Sequence, residues 1–341
     1  MFKQSLMIFL CHLCCIGPLS TLQGEEGSVQ APGWPSRDAQ LDALPGFQNP
    51  PLGYGEVPFW WWSGEDLDVD RLLWQLRELH QKGISGVQVN YSHYDTPGWL
   101  SDHDDPALFT EDWWQIYSRV SEECVKLEMG IGLSTYTIDW PRGAKNLFYQ
   151  LFYSKPELNA IALKTGAKHR LRGGETMTVA VTDGQFAVRA YQRTDGQLMR
   201  GGLDLSSLIK DGSIRWTAPA GEWEIWTFDA VPKAGSLNPL MANSGETVIQ
   251  GFYQKFEDNN QGKSSQGLNY FFNDELHIGL DKFAWNPDFP EEFRRRKGYD
   301  LLEVLPAMWV EMGDITPKVR MDYADVRMSL MEERYFKPIY N

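Results

Sequence analysis

The hydrophobic residues between positions 57 and 138 follow two alternating periods along the chain. Three short apolar runs have the length of strands, at residues 57–62, 86–92 and 131–138. Between them, apolar residues recur every three or four positions from Val69 and again from Trp113, which predicts two amphipathic helices. Asp68 and Thr110 are the predicted N-cap residues. Strands that alternate with helices in this way predict parallel strand pairing with right-handed crossovers.

From about residue 157 to 233, short β-like segments replace the helical period. The turns between them contain glycine, including Asp-Gly pairs at 183–184, 195–196 and 211–212. This pattern predicts a small antiparallel domain of β-sandwich type, inserted after the third parallel strand. A scaffold role is favoured over sugar binding, because a β sandwich by itself specifies no function.

The α/β pattern resumes after this insertion. A fourth strand is predicted at Leu268–Glu275, and helices are predicted near residues 288–297, 300–305 and 319–336. Four strand–helix units are half of an eight-stranded barrel. The predicted fold class is therefore α/β, the first half of a (β/α)8 TIM-type barrel with an inserted antiparallel β-sandwich-like domain. A small doubly wound sheet stays open as an alternative, although the sequence has no glycine-rich phosphate loop.

The N-terminal residues resemble a secretory signal peptide. Lys3 supplies positive charge, and residues 6–16 form an apolar run too short to span a membrane. A lipoprotein anchor is the less favoured alternative. The predicted domains are a signal peptide at 1–24, a linker at 25–50, barrel strands 1–3 with helices at 51–156, the inserted β domain at 157–233, and a truncated barrel continuation with strand 4 at 234–341. The predicted localisation is secreted or periplasmic, with no membrane span after signal cleavage.

Charge and composition narrow the partners. The 32 Lys and Arg against 46 Asp and Glu give a formal net charge of −14. This balance argues against nucleic acid, whose binding depends on basic residues. The 14 Trp and 14 Tyr suit stacking on sugar rings, although most aromatic residues fill cores. Only Cys124 lies outside the predicted signal, and its place on an apolar helical stripe predicts a buried structural thiol.

Polar and aromatic residues cluster where the predicted parallel strands end, which is where barrel enzymes carry their functional residues. The candidate substrate-binding residues are Trp60, Trp61 and Trp62 on the first strand, Asn90 and His93 on the second, Asp139 and Trp140 on the third, and Asn273 and Asp274 on the fourth. Each also fits a structural role, because tryptophans fill cores, a lone histidine is usually structural, and an aspartate can cap a turn.

Glu275 is the candidate catalytic carboxylate. Strand alternation puts Asn269, Phe271, Asn273 and Glu275 on one face, and the apolar opposite face is expected to meet the helices. This alternation favours Glu275 over Asp274, unless the strand ends one residue earlier. Glycoside hydrolysis uses two carboxyl groups, about 5–5.5 Å apart for retention and about 6.5–9.5 Å apart for inversion. From position alone, a structural carboxylate stays open.

The sequence predicts no cofactor with certainty. Asp102, Asp104 and Asp105 form an acidic loop without the spacing of a calcium loop, so a solvated loop is favoured. There is no zinc-binding His/Cys pattern and no nucleophilic-serine elbow.

Two segments of the chain have a distinctive sequence. One is Tyr54–Trp62, followed by the Leu-rich helix and Gly83–Val87. The other is Phe271–Glu275, followed by the Arg-Lys-Gly-Tyr-Asp sequence at 296–300. Together they resemble glycoside hydrolase family 106. The resemblance spans roughly residues 50 to 341, interrupted by the β insertion. Its most specific part is the Asp-Glu strand end together with the Arg-Lys-Gly-Tyr-Asp segment.

This resemblance implies an α-L-rhamnosidase with a (β/α)8 catalytic domain, β-sandwich additions, an inverting mechanism and an association with Ca²⁺. It matches Glu275 to a catalytic glutamate, as acid or base, and puts the partner glutamate beyond residue 341. We therefore expect a fragment of a glycoside hydrolase that cleaves α-L-rhamnosidic or similar deoxy-sugar linkages in a poly- or oligosaccharide. A separately encoded second half and a decayed copy stay open.

Two other function classes remain at this stage. A non-catalytic secreted glycan-binding protein would tolerate glutamine at position 275, whereas an enzyme needs an ionisable carboxyl group there. A polysaccharide lyase would need basic residues near its site to neutralise a uronate, and the strand ends offer only His93.

Overall fold

The structure, a computed structural model, describes residues 55–62, 66–90, 109–134, 153–259, 268–272 and 282–340, with the single positions 48, 106 and 151. All of them lie within the unit Ala31–Asn341.

The strands are β1 Phe59–Trp61, β2 Gly86–Asn90, β3 Gly130–Ser134, β4 Asn159–Arg172, β5 Thr176–Ala180, β6 Gln185–Thr194, β7 Gln197–Leu198, β8 Leu203–Asp204, β9 Ser213–Thr217, β10 Glu222–Leu237, β11 Leu268–Phe272 and β12 Ala284–Trp285. The helices are α1 Val69–Gln81, α2 Glu111–Lys126, α3 Ser244–Val248, α4 Gln254–Asn259, α5 Phe289–Lys297, α6 Ile315–Met331 and α7 Lys337–Tyr340. Short 3-10 helices lie at Pro156–Leu158, Ser206–Leu208, Leu301–Glu303 and Leu305–Met308, and π-helical turns lie at Ile249–Tyr253 and Glu332–Phe336.

The first two helices begin where their capping residues predict. The Asp68 side chain accepts a hydrogen bond from the Arg71 backbone N–H at 2.8 Å, which satisfies one of the free donors at the start of α1. The Thr110 hydroxyl accepts from the Trp113 backbone N–H at 3.4 Å at the start of α2. Both N-cap predictions are confirmed.

Four parallel strands form the first sheet, in the order β1-β2-β3-β11. The chain-order neighbours β1, β2 and β3 are connected through α1 and α2, as the alternating periods predict. The mixed α/β class is confirmed. Among the described residues, the four strands form an open sheet, and no barrel closes.

One face of this sheet packs against α1 and α2. Val89 and Leu133 are completely buried there, together with Leu76 of α1 and Trp113 of α2. Cys124, also on α2, is completely buried and forms no disulfide, so its prediction as a buried structural cysteine is confirmed.

The second sheet is antiparallel and follows β3 in the chain. Its strand order is β12-β4-β10-β6-β7, and β8 also pairs with β6. The strand β10 pairs with β4 on one side and with β6 on the other. A separate two-stranded sheet consists of β5 and β9.

Both faces of the antiparallel sheet are covered. Ile225 packs with residues of β5 and β9 on one face, whereas Trp226 and Phe228 face a cluster formed with α5 and α6. Strand alternation therefore gives β10 two apolar faces. The segments β12, α5 and α6 follow β11 in the chain, yet they pack on the antiparallel sheet.

The last helical residues return to the core of the parallel sheet, where Tyr335 is buried. Gly245 in α3 allows this approach, because a Cβ at that position would lie 2.8 Å from the Tyr335 carbonyl oxygen. None of the described helices combines the length and the apolar character needed to cross a membrane.

Candidate active site

The carboxyl ends of the four parallel strands meet at one edge of the sheet. The backbone register pairs Trp61 with Asn90, Val89 with Leu133, and Ser134 with Phe272. In parallel α/β sheets, this edge is where ligands bind. The described strand ends therefore define the rim of the candidate site.

The sheet has one apolar face and one mixed face at this rim. Val89 and Leu133 belong to the core beneath the helices. The opposite face carries Gln88 and Asn90 from β2, together with the aromatic rings of Phe59 and Phe272, whose centroids lie 5.4 Å apart. A face that combines amides with aromatic rings suits a ligand that has both hydroxyls and apolar C–H surface.

Asn90 is the most informative residue of this face. Its side chain is completely buried, yet neither its Nδ2 nor its Oδ1 has a hydrogen-bond partner in the described structure. The Nε2 of Gln88, which is 3% exposed, also lacks a partner there. An unsatisfied buried polar group costs about 1–3 kcal/mol, so such groups require an explanation. Both amides are therefore covered by other parts of the chain without a hydrogen bond from any residue that the structure describes.

Sequence reasoning identified Asn90 but missed Gln88. The two amides lie two positions apart in the strand Gly86–Asn90, between Val87 and Val89, which are completely buried. Because strand side chains alternate between faces, this spacing puts both amides on the same side of the sheet. The alternation of amide and valine was the available signal.

The three tryptophans of the 60–62 run separate onto two faces. The Trp60 indole N–H donates to the Gln75 side chain on α1 at 3.0 Å. Trp62 is 2% exposed, with its ring 6.3 Å from those of Trp113 and Tyr117 on α2. Both belong to the core beneath the helices. Trp61 lies on the other face, with Asn90 as its neighbour on β2.

The expected orientation of β11 is wrong. The Phe271 ring lies 4.6 Å from Tyr253 and 5.7 Å from Phe256, on the side of the core, whereas Phe272 contacts Phe59 on the opposite face. The cause is a register shift, since Leu268 pairs with Ile131 but Tyr270 pairs with Gly132. One extra residue in β11 reverses the faces that strict alternation predicts for Phe271 and Phe272. The alternation argument that favoured Glu275 over Asp274 therefore loses its basis.

The remaining predicted site residues lie outside the described residues. They are His93, Asp139, Trp140, Asn273, Asp274 and Glu275. The acidic loop with Asp102, Asp104 and Asp105 also lies outside them. The roles of these residues stay predictions.

The titratable groups described near this sheet serve the fold. Burial raises the pKa of the Cys124 thiol, which keeps it protonated and unreactive. A hydrogen bond from Arg77 lowers the pKa of Glu123 and joins α1 to α2, with 2.7 Å between Arg77 Nε and Glu123 Oε1. Within the described ranges, no group of three or more His, Cys, Asp or Glu side chains could hold a metal ion.

Comparison with known proteins agrees with this architecture. Residues 191–340 match the model of glycoside hydrolase family 106, described as alpha-L-rhamnosidase. The chain is also similar to the solved structure of a rhamnosidase from Novosphingobium sp. PP1Y, with a TM-score of 0.58 and 13% sequence identity. That alignment covers 88% of this chain and 46% of the rhamnosidase chain, so this chain spans less than half of that protein's length. No curated protein matches the sequence.

These findings confirm the resemblance to the rhamnosidase family expected from the sequence. At 13% identity, the structural similarity establishes a common fold, and the family match extends over residues 191–340.

Proposed function

We propose that this chain forms part of a glycoside hydrolase that cleaves α-L-rhamnosidic, or similar deoxy-sugar, linkages in a poly- or oligosaccharide. The match to the rhamnosidase family over residues 191–340 carries the proposal, because the matched segment includes the candidate carboxylates Asp274 and Glu275. The unpaired amide of Asn90 supports it independently, since that amide lies at the rim of the parallel sheet and suits a sugar hydroxyl.

The proposed catalytic domain is a (β/α)8 barrel, to which the four parallel strands contribute the first half. The sheet order β1-β2-β3-β11 supports this, because each strand pairs with its predecessor among the parallel strands. A barrel adds strands in that sequence, whereas a doubly wound sheet reverses direction at a switch point. The antiparallel sheet is proposed as a β-sandwich-like insertion with a scaffold role.

Glu275 is the proposed catalytic carboxylate, on the basis of its resemblance to a family glutamate. Asp274 is the competing candidate, since the face of Phe272 is the one that also carries Phe59. The proposed reaction inverts the anomeric configuration, with a second carboxylate about 6.5–9.5 Å away. The position of the second carboxylate and any role for Ca²⁺ are proposed from the family resemblance alone.

Substrate contacts are proposed for Asn90 and Trp61, whose described positions on the mixed face suit hydrogen bonding and stacking. His93, Asp139, Trp140 and Asn273 are proposed as further contacts, from their positions in the sequence alone. Trp60 and Trp62 pack in the core beneath the helices. We therefore propose that they support the rim of the site from below. The proposed location of the protein is secreted or periplasmic.

The test is hydrolysis of an aryl α-L-rhamnoside and of rhamnose-containing polysaccharide. It uses the 341-residue chain and any longer product of the same gene, each as wild type and as Glu275→Gln, Asp274→Asn and Glu291→Gln variants. Glu291 is an exposed glutamate of α5 and serves as the matched control. We expect Glu275→Gln to lower kcat by about 10²–10⁴-fold, as is typical for loss of a general acid or base, and Glu291→Gln to have no effect.

Each result has a distinct meaning. Loss of activity in Asp274→Asn with retention in Glu275→Gln would transfer the catalytic role to Asp274. Glycan binding without any hydrolysis, unaffected by either substitution, would refute the enzyme and identify a glycan-binding protein. Proton NMR of the first-formed sugar anomer tests inversion, since a retaining product would contradict it.

A further inference from the structure

Two adjoining cavities lie beside the antiparallel sheet and the helix α6. Their volumes are about 350 Å³ and about 380 Å³, and they share Lys282, Phe283 and Trp309 as lining residues. Ligand pockets typically have volumes of about 300–1,000 Å³. We call this feature the cation–aromatic cleft, defined by Lys164, Lys282, Phe283, Trp309, Arg320 and Arg327.

The charge of the cleft contrasts with that of the chain. The chain carries a formal net charge of −14, yet four of the side chains that line the cleft are cationic. Among its described lining residues there is no aspartate or glutamate. Like charges repel, so cations that line a cleft without a carboxylate partner are stabilised when an anion binds to them.

Most of these cations have N–H donor groups that lack a partner in the described structure. In the described structure, Arg327 makes one long hydrogen bond, 3.4 Å from its NH1 to the Lys282 carbonyl oxygen, and its buried Nε has no partner. No ion pair involves Arg327, Lys282 or Lys164 within the same set of residues. Arg320 is the exception, with an ion pair to Glu311 at 3.1 Å. The cleft therefore holds three cations that a ligand can pair.

The aromatic residues give the cleft an apolar wall. Trp309 is half-buried, with its ring centroid 5.1 Å from Phe283 and 6.0 Å from Phe228. Packing against these two rings holds the indole in place. The Lys282 ammonium lies 5.1 Å from the Phe283 centroid, so the charge and the apolar surface are adjacent.

We propose that the cation–aromatic cleft binds a carboxylated sugar, a hexuronate unit of a glycan. A hexuronate has an apolar ring face for the wall of Trp309 and Phe283, and a carboxylate that the Arg327 guanidinium can bind with charge-assisted hydrogen bonds. A simple inorganic anion would leave the aromatic wall unused, and a neutral sugar would leave the cations unpaired. The site is built on β4, α6 and residues 282–283, and its lining residues include none of the described residues of the parallel sheet.

The test is isothermal titration calorimetry of the full chain with a linear trisaccharide of galacturonic acid. The matched probe is the same trisaccharide with its carboxylates methyl-esterified, and inorganic sulfate serves as the simple anion. We expect the acidic trisaccharide to bind and the ester to bind at least about ten-fold more weakly, as loss of charge-assisted hydrogen bonds predicts. Equal binding of acid and ester would overturn the proposal, and so would displacement of the trisaccharide by an equal concentration of sulfate.

Substitutions in the cation–aromatic cleft test whether the trisaccharide binds there. Arg327→Gln is expected to weaken affinity by at least about ten-fold, whereas Arg215→Gln, an exposed arginine on β9, should leave it unchanged. Lys282→Gln changes an exposed side chain and provides the same test if the arginine variant fails to fold. Wild-type affinity in both cleft variants would refute the assignment. Glu275→Gln should bind the trisaccharide normally, and loss of binding there would move the ligand to the catalytic rim.

Discussion

Two buried asparagines show how differently the two sheets use a polar residue. Asn90 ends β2 of the parallel sheet, and Asn238 directly follows β10 of the antiparallel sheet; both are completely buried. The Asn238 amide donates to the Trp285 carbonyl at 2.8 Å and accepts from the Leu240 backbone N–H at 3.1 Å. The Asn90 amide has no such partner within the described ranges.

The two buried amides therefore differ in whether the described fold satisfies them. Asn238 joins β12 to the end of β10, so its amide stabilises the fold. The Asn90 side chain contributes no hydrogen bond to the described structure. A buried polar group that the fold does not satisfy is a better indicator of function than one that it does.

The largest expected effect on stability tests the antiparallel side of this comparison. Phe228 is completely buried between β10 and the helices α5 and α6, so Phe228→Ala creates a cavity. We expect a loss of about 3–5 kcal/mol in the free energy of unfolding, measured by urea denaturation. Rhamnoside hydrolysis per folded molecule should be unchanged. A loss below about 1 kcal/mol would mean that this cluster is not a tightly packed core.

The two asparagines themselves provide the next prediction. Asn238→Ala should lower the free energy of unfolding by about 1–3 kcal/mol, because it leaves the Trp285 carbonyl and the Leu240 N–H without their partner. Asn90→Ala should change stability by less than about 1 kcal/mol, yet reduce kcat/KM for a rhamnoside by about 10–100-fold, the equivalent of a lost hydrogen bond to substrate. Denaturation and steady-state kinetics of both variants measure this. The reverse pattern would show that Asn90 is structural.

Acid stability should distinguish the ion pairs of Arg296, which contacts two carboxylates, from that of Arg77, which contacts one. Hydrogen bonds from Arg296 lower the pKa of Glu333, and those from Arg295 and Arg296 lower that of Glu292, while Arg77 lowers the pKa of Glu123. A lowered folded-state pKa means that the stabilisation is complete above the ordinary value of 4.5 and is lost as pH falls through the folded-state value.

We therefore expect the thermal unfolding midpoint to fall as pH decreases below 4.5. Arg296→Gln should remove more of this dependence than Arg77→Gln, because Arg296 contacts two carboxylates, at 3.0 Å and 2.6 Å, and Arg77 contacts one. Midpoints measured between pH 3 and 7 would check this. Parallel curves for wild type and Arg296→Gln would exclude the pair as a source of acid sensitivity.

The smallest effect is expected on the outer side of α6. Met321 is 71% exposed, although Val319 and Tyr323 of the same helix are buried against the antiparallel sheet. Met321→Ser should change the free energy of unfolding by no more than about 0.5 kcal/mol. A larger loss in urea denaturation would show that this face packs against another part of the protein.

Local signals made much of the parallel region predictable. Asp68 and Thr110 cap their helices because each carries an oxygen acceptor next to an amphipathic run, and Cys124 is buried because it shares that run. The orientation of β11 was not predictable, since its register shift arises from pairing with β3 and leaves no mark in its own sequence. Likewise, Asn90 was identified from its strand-end position, but its lack of partners is a property of the packed sheet.

The antiparallel region was predictable only in outline. Asp-Gly turns and short apolar segments indicated the strands, but the two-residue strand β12 is too short to produce a pattern. Its placement depends on the edge of β4, which lies more than a hundred positions earlier in the chain. Contacts of this range are set by the whole fold and not by local sequence.

The pairing of β12 with β4 also limits how this protein can be divided into separate domains. Because α5 and α6 cover the antiparallel sheet, deletion of residues 159–237 would strip those helices of the surface that Phe289, Phe293 and Val326 pack against. Conversely, a segment 159–237 moved into another protein would carry an uncovered apolar face and a strand edge open to aggregation. The antiparallel layer is therefore not a portable module, and any domain exchange must transfer residues 284–330 with it.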